Sequence, residues 1–195
     1  LIAAAGLKER AGASLRMLPE EKMSASPVLA QAITAFQTCP TQAPLTRKAI
    51  SEIMDKASVG QTWHWRSAYD AIEAAAATRF QRLGRDAARL GPDAFFDLAE
   101  RLQAWVPTQT IRSIESEQRE LFTTPPVLGA AVGLLTQARP EHRVLEPSAG
   151  NGGLAGPLSA FSNSLWLNEL DTASAERLRH LFPNATVTSR DAAVI

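Results

Sequence analysis

A chain of 195 residues can bury one good-sized hydrophobic core or two small ones. Its 20 Lys and Arg balance its 20 Asp and Glu, so no global field draws it to nucleic acid or to a membrane surface. A single cysteine, Cys39, excludes an internal disulfide framework and a cysteine-built metal cluster.

Several further classes are disfavoured. His64, His142 and His180 are widely spaced, so no metal site is expected. No stretch reaches the roughly 18 to 20 apolar residues of a membrane span, and the opening Leu1-Ile2-Ala3-Ala4-Ala5 is too short for a signal-peptide core. The expectation is a protein of the reducing cytoplasm, with no membrane partner. The chain starts without methionine and stops in the apolar run Ala192-Ala193-Val194-Ile195, which reads as an excerpt from a longer polypeptide.

In chain order, residues 1 to 25 form an Ala-rich stretch with scattered charge, a weak helix or a loose tail. Ser26-Pro27 reads as an N-cap followed by proline at the first helical position, with Leu29, Ile33 and Phe36 at helical spacing behind it. Two prolines between Cys39 and Pro44 break that helix. A second helix is predicted through Ala49, Ile50, Ile53, Met54 and Ala57, closed by Gly60. The strongest periodicity runs from Trp65 to Leu90, where Ala68, Ile72, Ala76, Phe80, Leu83, Ala87 and Leu90 form one stripe. Gly91-Pro92 ends it, and another helix follows over Asp93 to Trp105.

Past Pro107 the pattern changes. Residues 142–146, 165–169 and 185–189 are short apolar or β-branched runs, and helical segments separate them at 153–161 and 172–182. Such alternation opens an open α/β sheet with right-handed crossovers. The predicted organisation is an all-helical region over 1–108, followed over 109–195 by the first half of a Rossmann-like sheet. The expected fold class is therefore α/β.

The most informative stretch is Val144-Leu145-Glu146-Pro147-Ser148-Ala149-Gly150-Asn151-Gly152-Gly153-Leu154. A strand ends on a carboxylate, turns through small residues and enters a helix. Glycines let a ligand approach the backbone, and a helix N-terminus offers free N–H groups. Gly150-x-Gly152-x-x-Ala155 also fits the dinucleotide fingerprint, so glycine spacing alone does not separate methyltransferases from dehydrogenases. Glu146 before the loop favours a cationic sulfonium cofactor over a pyrophosphate. A purely structural Gly-rich turn is the alternative.

Three further features accompany it. Glu169, about 20 residues beyond the turn, is placed to take both ribose hydroxyls of an adenosine group, or is a solvated strand-end acid. Asp171 reads as a helix N-cap. Asp191, after the third strand, could accept an adenine amino group or be a plain turn aspartate. Thr124 reads as an N-cap with Pro125 in the first turn, entering a helix with Leu128, Val132 and Leu135.

Taken in order, Thr124-Pro125-Pro126, Glu146 to Gly152, Asn168-Glu169-Leu170 and Asp191 resemble the cofactor motifs of adenine-N6 DNA methyltransferases of class I. More narrowly, residues 60–195 resemble the methyltransferase-like region of bacterial and phage proteins of the strawberry notch type, which carry a helicase-like region downstream. Trp63-His64-Trp65-Arg66-Ser67-Ala68-Tyr69-Asp70-Ala71 belongs to that likeness. The resemblance implies S-adenosyl-L-methionine as cofactor. Thr124 would contact its methionine end; Glu146, Pro147, Ser148, Ala149, Gly150, Asn151 and Gly152 would form the main pocket; Glu169 would bind the ribose and Asp191 the adenine. DNA would be reached through regions outside this chain. The family's catalytic Asn-Pro-Pro-aromatic motif does not occur in these residues, so the catalytic residues stay unassigned and the chain by itself should not transfer methyl groups. The rival readings are an inactive methyltransferase-like scaffold that docks a helicase onto DNA or a partner, and a nicotinamide-dependent oxidoreductase.

Other features read as plain structure. Arg82, Arg85 and Arg89 form a basic stripe that could grip phosphate but reads better as a solvated face, with Glu73 and Asp86 near it in sequence. Trp63 and Trp65 could stack on bases but read as packing anchors. Cys39 lacks a recognisable base and reads as inert.

Overall fold

The computed structural model describes residues 27–107 and 123–194. Helix α1 (Pro27–Thr38) starts at the expected proline and buries Leu29, Ala32, Ile33 and Phe36 along one face; Ser26, its expected cap, lies outside the described residues. Helix α2 (Arg47–Ser58) is capped by Thr46, whose side chain accepts from the Ala49 amide at 3.2 Å. It ends one residue earlier than glycine alone would dictate, because Val59 itself takes the left-handed conformation (φ 43°) ahead of Gly60 (φ 83°).

Helix α3 (Trp65–Leu90) has the predicted bounds, and Ala68, Ile72, Ala76 and Phe80 of the predicted stripe are buried. Every residue from Ala71 to Phe80 is buried, whereas Leu83 and Leu90, expected on the apolar face, are exposed. A helix covered all round is a central helix, not an amphipathic surface one. On one side α1 lies against it, on another α4 (Pro92–Trp105), and further along the segment that follows the first strand. Arg79 fixes the first of these contacts. Its guanidinium donates to the carbonyls of Phe36, Gln37 and Cys39 at the end of α1 and stacks over the Trp105 ring at 4.6 Å. Cations at a helix C-terminus satisfy carbonyls that lack an intrahelical partner.

Helix α5 (Pro126–Leu135) corrects the expected role of Thr124. The residue flanking the helix is Pro125, and Thr124 makes no capping bond. Instead Gln103 of α4 reaches over, and its side-chain oxygen accepts from the Val127 amide at 3.2 Å. Capping from a neighbouring helix leaves the Thr124 hydroxyl uncommitted to the helix end.

Three strands follow, β1 (Arg143–Glu146), β2 (Ser164–Asn168) and β3 (Thr186–Thr188), paired in parallel in the order β1-β2-β3. The chain is thus mixed helix and strand, an α/β arrangement with a small parallel sheet. Between β1 and β2 stands α6 (Ala155–Leu158), a single turn where a helix over 153–161 was expected. Gly150 and Gly152 hold positive φ upstream and Pro157 lacks an amide, so the segment is built of successive turns. Helix α7 (Thr172–Leu181) opens on Asp171, whose carboxylate accepts from Ser174 N at 2.8 Å, the cap predicted for it.

One face of the sheet is packed. Leu165 and Leu167 of β2 meet Ala155 and Leu158 of α6, Leu178 of α7, Phe182 and, from α3, Ala77. On the other face the register partners Leu145 and Trp166 are exposed. Asn168 locks the carboxyl ends of the strands: its amide donates to the carbonyls of Pro147 (3.0 Å) and Arg190 (2.8 Å), and its oxygen accepts from Thr188 Oγ1 and Arg190 N. A primary amide with both protons and its oxygen engaged holds three segments in fixed register.

At Gly156 two backbones come close together. A Cβ on Gly156 would sit 2.6 Å from the carbonyl oxygen of Ala77, with no flexible side chain to give way. Gly156→Ala should therefore lower stability by about 1–3 kcal/mol, read as an earlier midpoint in urea denaturation. A midpoint equal to that of the parent protein would show that α3 and α6 can separate without cost.

Candidate functional site: a polar pocket at the carboxyl ends of the strands

The loop from Pro147 to Gly153 turns at the carboxyl end of β1. Its course is set by backbone bonds: Ala149 N donates to Asn168 O at 2.8 Å and Gly152 N to Ala149 O at 2.8 Å. Gly150 has φ 52° and open space where a Cβ would stand. At Gly152 the Phe182 ring would lie 2.7 Å from a Cβ, so this glycine serves packing rather than ligand approach.

Glu169, one residue past β2, is buried and clamps the loop. One carboxylate oxygen accepts from Gly150 N at 2.8 Å and the other from Asp171 N at 3.0 Å. A carboxylate offers about four acceptor positions, so these two bonds leave acceptor capacity on Glu169, which lies in the wall of a pocket.

Helix α3 closes the site from above the loop. Asn151 Nδ2 donates to Asp70 Oδ1 (3.1 Å) and to Glu73 Oε2 (2.8 Å), and Thr123 Oγ1 donates to the same Glu73 oxygen at 2.7 Å. Asp70 also pairs with Arg66 at 3.1 Å one turn back. Burial pushes the Glu73 carboxyl above its ordinary value; the bonds from Thr123 and Asn151 act against this, and the Asp70 charge adds to it. Burial likewise raises Glu146, partly offset by the bond its carboxylate accepts from Ser148 N at 3.1 Å.

Arg66, Asp70, Thr123, Asn151 and Glu169 border one pocket. Of the residues expected to bind a cofactor, Thr124, Ser148, Ala149, Gly150, Asn151 and Glu169 lie in its wall. Glu146, Pro147, Gly152 and Asp191 do not: Glu146 turns to Ser148 N, Pro147 O receives Asn168, and Asp191 caps the 3₁₀ turn Ala192–Val194 through Ala193 N at 2.9 Å. Sequence reasoning missed Arg66, Asp70, Ser174 and Arg177 in the wall and Glu73 behind it. One signal was present. Glu73 interrupts Ala71-Ile72-Glu73-Ala74-Ala75-Ala76-Ala77, and a carboxylate inside an alanine run points to a buried acid with a polar task.

The features read as plain structure mostly behave so. Arg89 pairs with Asp86 at 3.2 Å on the exposed end of α3, but Glu73 faces the opposite way, into the site. Arg85 is not merely solvated; it bonds Asn163 Oδ1 at 2.8 Å and Ser159 O at 3.3 Å. Trp63 and Trp65 pack edge to face at 5.2 Å, with Trp63 Nε1 donating to Asp55 and Arg47 over the Trp65 ring. Burial raises the Cys39 thiol, which fits an unreactive side chain.

The chain matches no protein-family model, no curated protein and no solved structure in the comparisons made with it.

The raised Glu73 carboxyl has a consequence for pH. A carboxyl whose folded value lies above its unfolded value, about 4.3, stabilises the fold fully at lower pH and loses that contribution as pH rises through the folded value. Glu73→Gln retains an acceptor for Thr123 and Asn151 without the charge. Its stability relative to the parent should thus climb between about pH 4 and neutrality. Denaturation midpoints of both proteins across that range check it, and a constant difference would mean that Glu73 is not buried as a charge.

Proposed function

We propose that this chain is the S-adenosyl-L-methionine-binding part of a DNA adenine-N6 methyltransferase, from a larger polypeptide of the methyltransferase/helicase type. The observation that carries the reading is the position of Glu169: an acid at the end of β2, hydrogen-bonded to Gly150 of the loop that follows β1, in the wall of the same pocket. In a parallel sheet, nucleoside ligands bind outside the carboxyl ends of the strands, with an acid of this kind on the ribose.

The residues present suit the cofactor. Gly150 leaves its Cβ space open, Glu169 retains acceptor capacity for ribose hydroxyls, and the Asp70 and Glu169 carboxylates in the wall favour a sulfonium cation. The bound cofactor would supply an electrophilic methyl group. The residues of this chain would orient it: Thr124 and the loop on one side, Glu169 on the ribose. Asp191 stands outside the pocket wall, so its assignment to the adenine has the least support. DNA as substrate, a helicase-like partner region and a cytoplasmic setting belong to the same proposal. Among the described residues no helix is long and apolar enough to cross a membrane.

A second reading, a scaffold without methyl transfer, is favoured by one feature of the loop. The amides of Ser148, Ala149, Gly150 and Gly152 all donate to protein acceptors already, which is what a loop kept for its shape would do. Calorimetric titration of the intact protein with S-adenosyl-L-methionine and S-adenosylhomocysteine separates the two. The cofactor reading expects micromolar to submillimolar binding, weakened about tenfold or more, ~1.4 kcal/mol, by Glu169→Ala. Absence of binding by a folded sample would leave the scaffold.

A further inference from the structure

Arg177 is a buried cation with no anion beside it among the described residues. It sits on the second turn of α7 and is 8% exposed. Its Nη2 donates to Ser174 Oγ at 2.8 Å, a neutral acceptor, and its Nε is buried with no partner. Among the described residues no carboxylate lies within ion-pairing distance of it; the ion pairs are Lys48–Glu52, Arg66–Asp70 and Arg89–Asp86. A guanidinium withdrawn from water without a counter-charge is costly, and such a group asks for an explanation, an absent ion or ligand among them.

The surroundings supply that explanation. Arg177 and Ser174 both belong to the wall of the pocket that holds Gly150 and Glu169. Ser174 lies in the first turn of α7, and its amide is already taken by the Asp171 cap, so its hydroxyl and Arg177 are the groups of this helix that face the pocket. Buried guanidinium and hydroxyl therefore meet at one pocket, whose other cation, Arg66 of α3, is already paired with Asp70.

We propose that Arg177 receives an anionic group of the pocket's ligand, so that the site takes a nucleoside carrying a negatively charged appendage rather than a neutral nucleoside. This rests on the pocket being a nucleoside site, as the proposed function has it, but not on the ligand being the sulfonium cofactor. The shared chemistry is an oxyanion, either the carboxylate of an amino-acid tail or a phosphate. A guanidinium matches both because its paired N–H groups meet two oxygens at once.

The test compares charged and neutral ligands on the intact protein. S-adenosylhomocysteine is set against 5′-methylthioadenosine, which lacks the amino-acid tail, and ADP against adenosine, each with parent protein, Arg177→Gln and Arg177→Lys. The parent should prefer one charged member over its neutral counterpart by about tenfold or more; Arg177→Gln should reduce that preference to less than about twofold, and Arg177→Lys should keep part of it. Circular dichroism checks that each variant is folded, and Arg177→Lys carries the comparison where Arg177→Gln is not. A preference for S-adenosylhomocysteine supports both this inference and the methyltransferase reading. A preference for ADP alone keeps the anion site and overturns the cofactor assignment. A charge preference unchanged in folded Arg177 variants, or none in the parent, overturns the inference.

Discussion

The contact between the alanine face of α3 and the glycines of the strand–turn segment is the constraint on which the rest of the arrangement depends. Ala77 O lies 2.6 Å from where a Gly156 Cβ would be, and Ala77 Cβ lies 3.3 Å from the corresponding position on Gly152. Only residues without bulk on both sides allow backbones this close. Once α3 and the segment touch, the loop from Pro147 to Gly153 has little freedom, and everything lining the pocket takes its place from it. A larger side chain at either glycine would move α3 away and carry Asp70 and Glu73 out of reach of Asn151.

Close packing also explains why a carboxylate is tolerated in the middle of α3. Charge in a medium of low polarity is unfavourable unless hydrogen bonds replace those lost from water. Asn151 and Thr123 both donate to the same Glu73 oxygen, one from the loop and one from the chain just before α5. The acid thereby links three segments that share no secondary structure. Its burial and its bonds act in opposite directions on its protonation, and burial is the larger effect. Asn168 does the complementary work at the strand ends with a neutral group, tying the loop after β1 to the chain after β3.

What the sequence makes legible here is whatever repeats. The 3.6-residue period gave α1 to α4 nearly to the residue, and the β-branched runs placed β1 to β3 within a residue or two. The Gly-rich turn and Glu169 were legible because a strand, a small-residue loop and a spaced acid are local patterns. What was illegible is tertiary. The stripe on α3 holds from Ala68 to Phe80 but not at Leu83 and Leu90, and neighbours cover the middle of the helix on every side, which no period encodes. Thr124 lost its capping role to Gln103, 21 residues earlier, a bond that exists only because α4 and α5 lie side by side. Arg177 reads as an ordinary helical arginine; only the packing of α7 against the sheet reveals it as buried. Glu146, expected in the pocket, is diverted by a bond to the amide two residues on, a choice made by the local turn.

The two charged residues of the pocket differ in what they can reveal. Glu169 holds Gly150 and Asp171 by their amides, so it shapes the loop whether or not a ligand is bound. Its removal changes binding through lost contact and through lost order, and the two losses have the same sign. Among the described residues Arg177 binds only a hydroxyl three residues away on its own helix, and no described loop is tied to it. Relieving an unpaired buried charge lowers a cost in the free protein, whereas losing it from a liganded pocket removes an attraction. Stability and affinity should then move in opposite directions at Arg177 and together at Glu169, and that opposition separates a cation held for a ligand from one held for the fold.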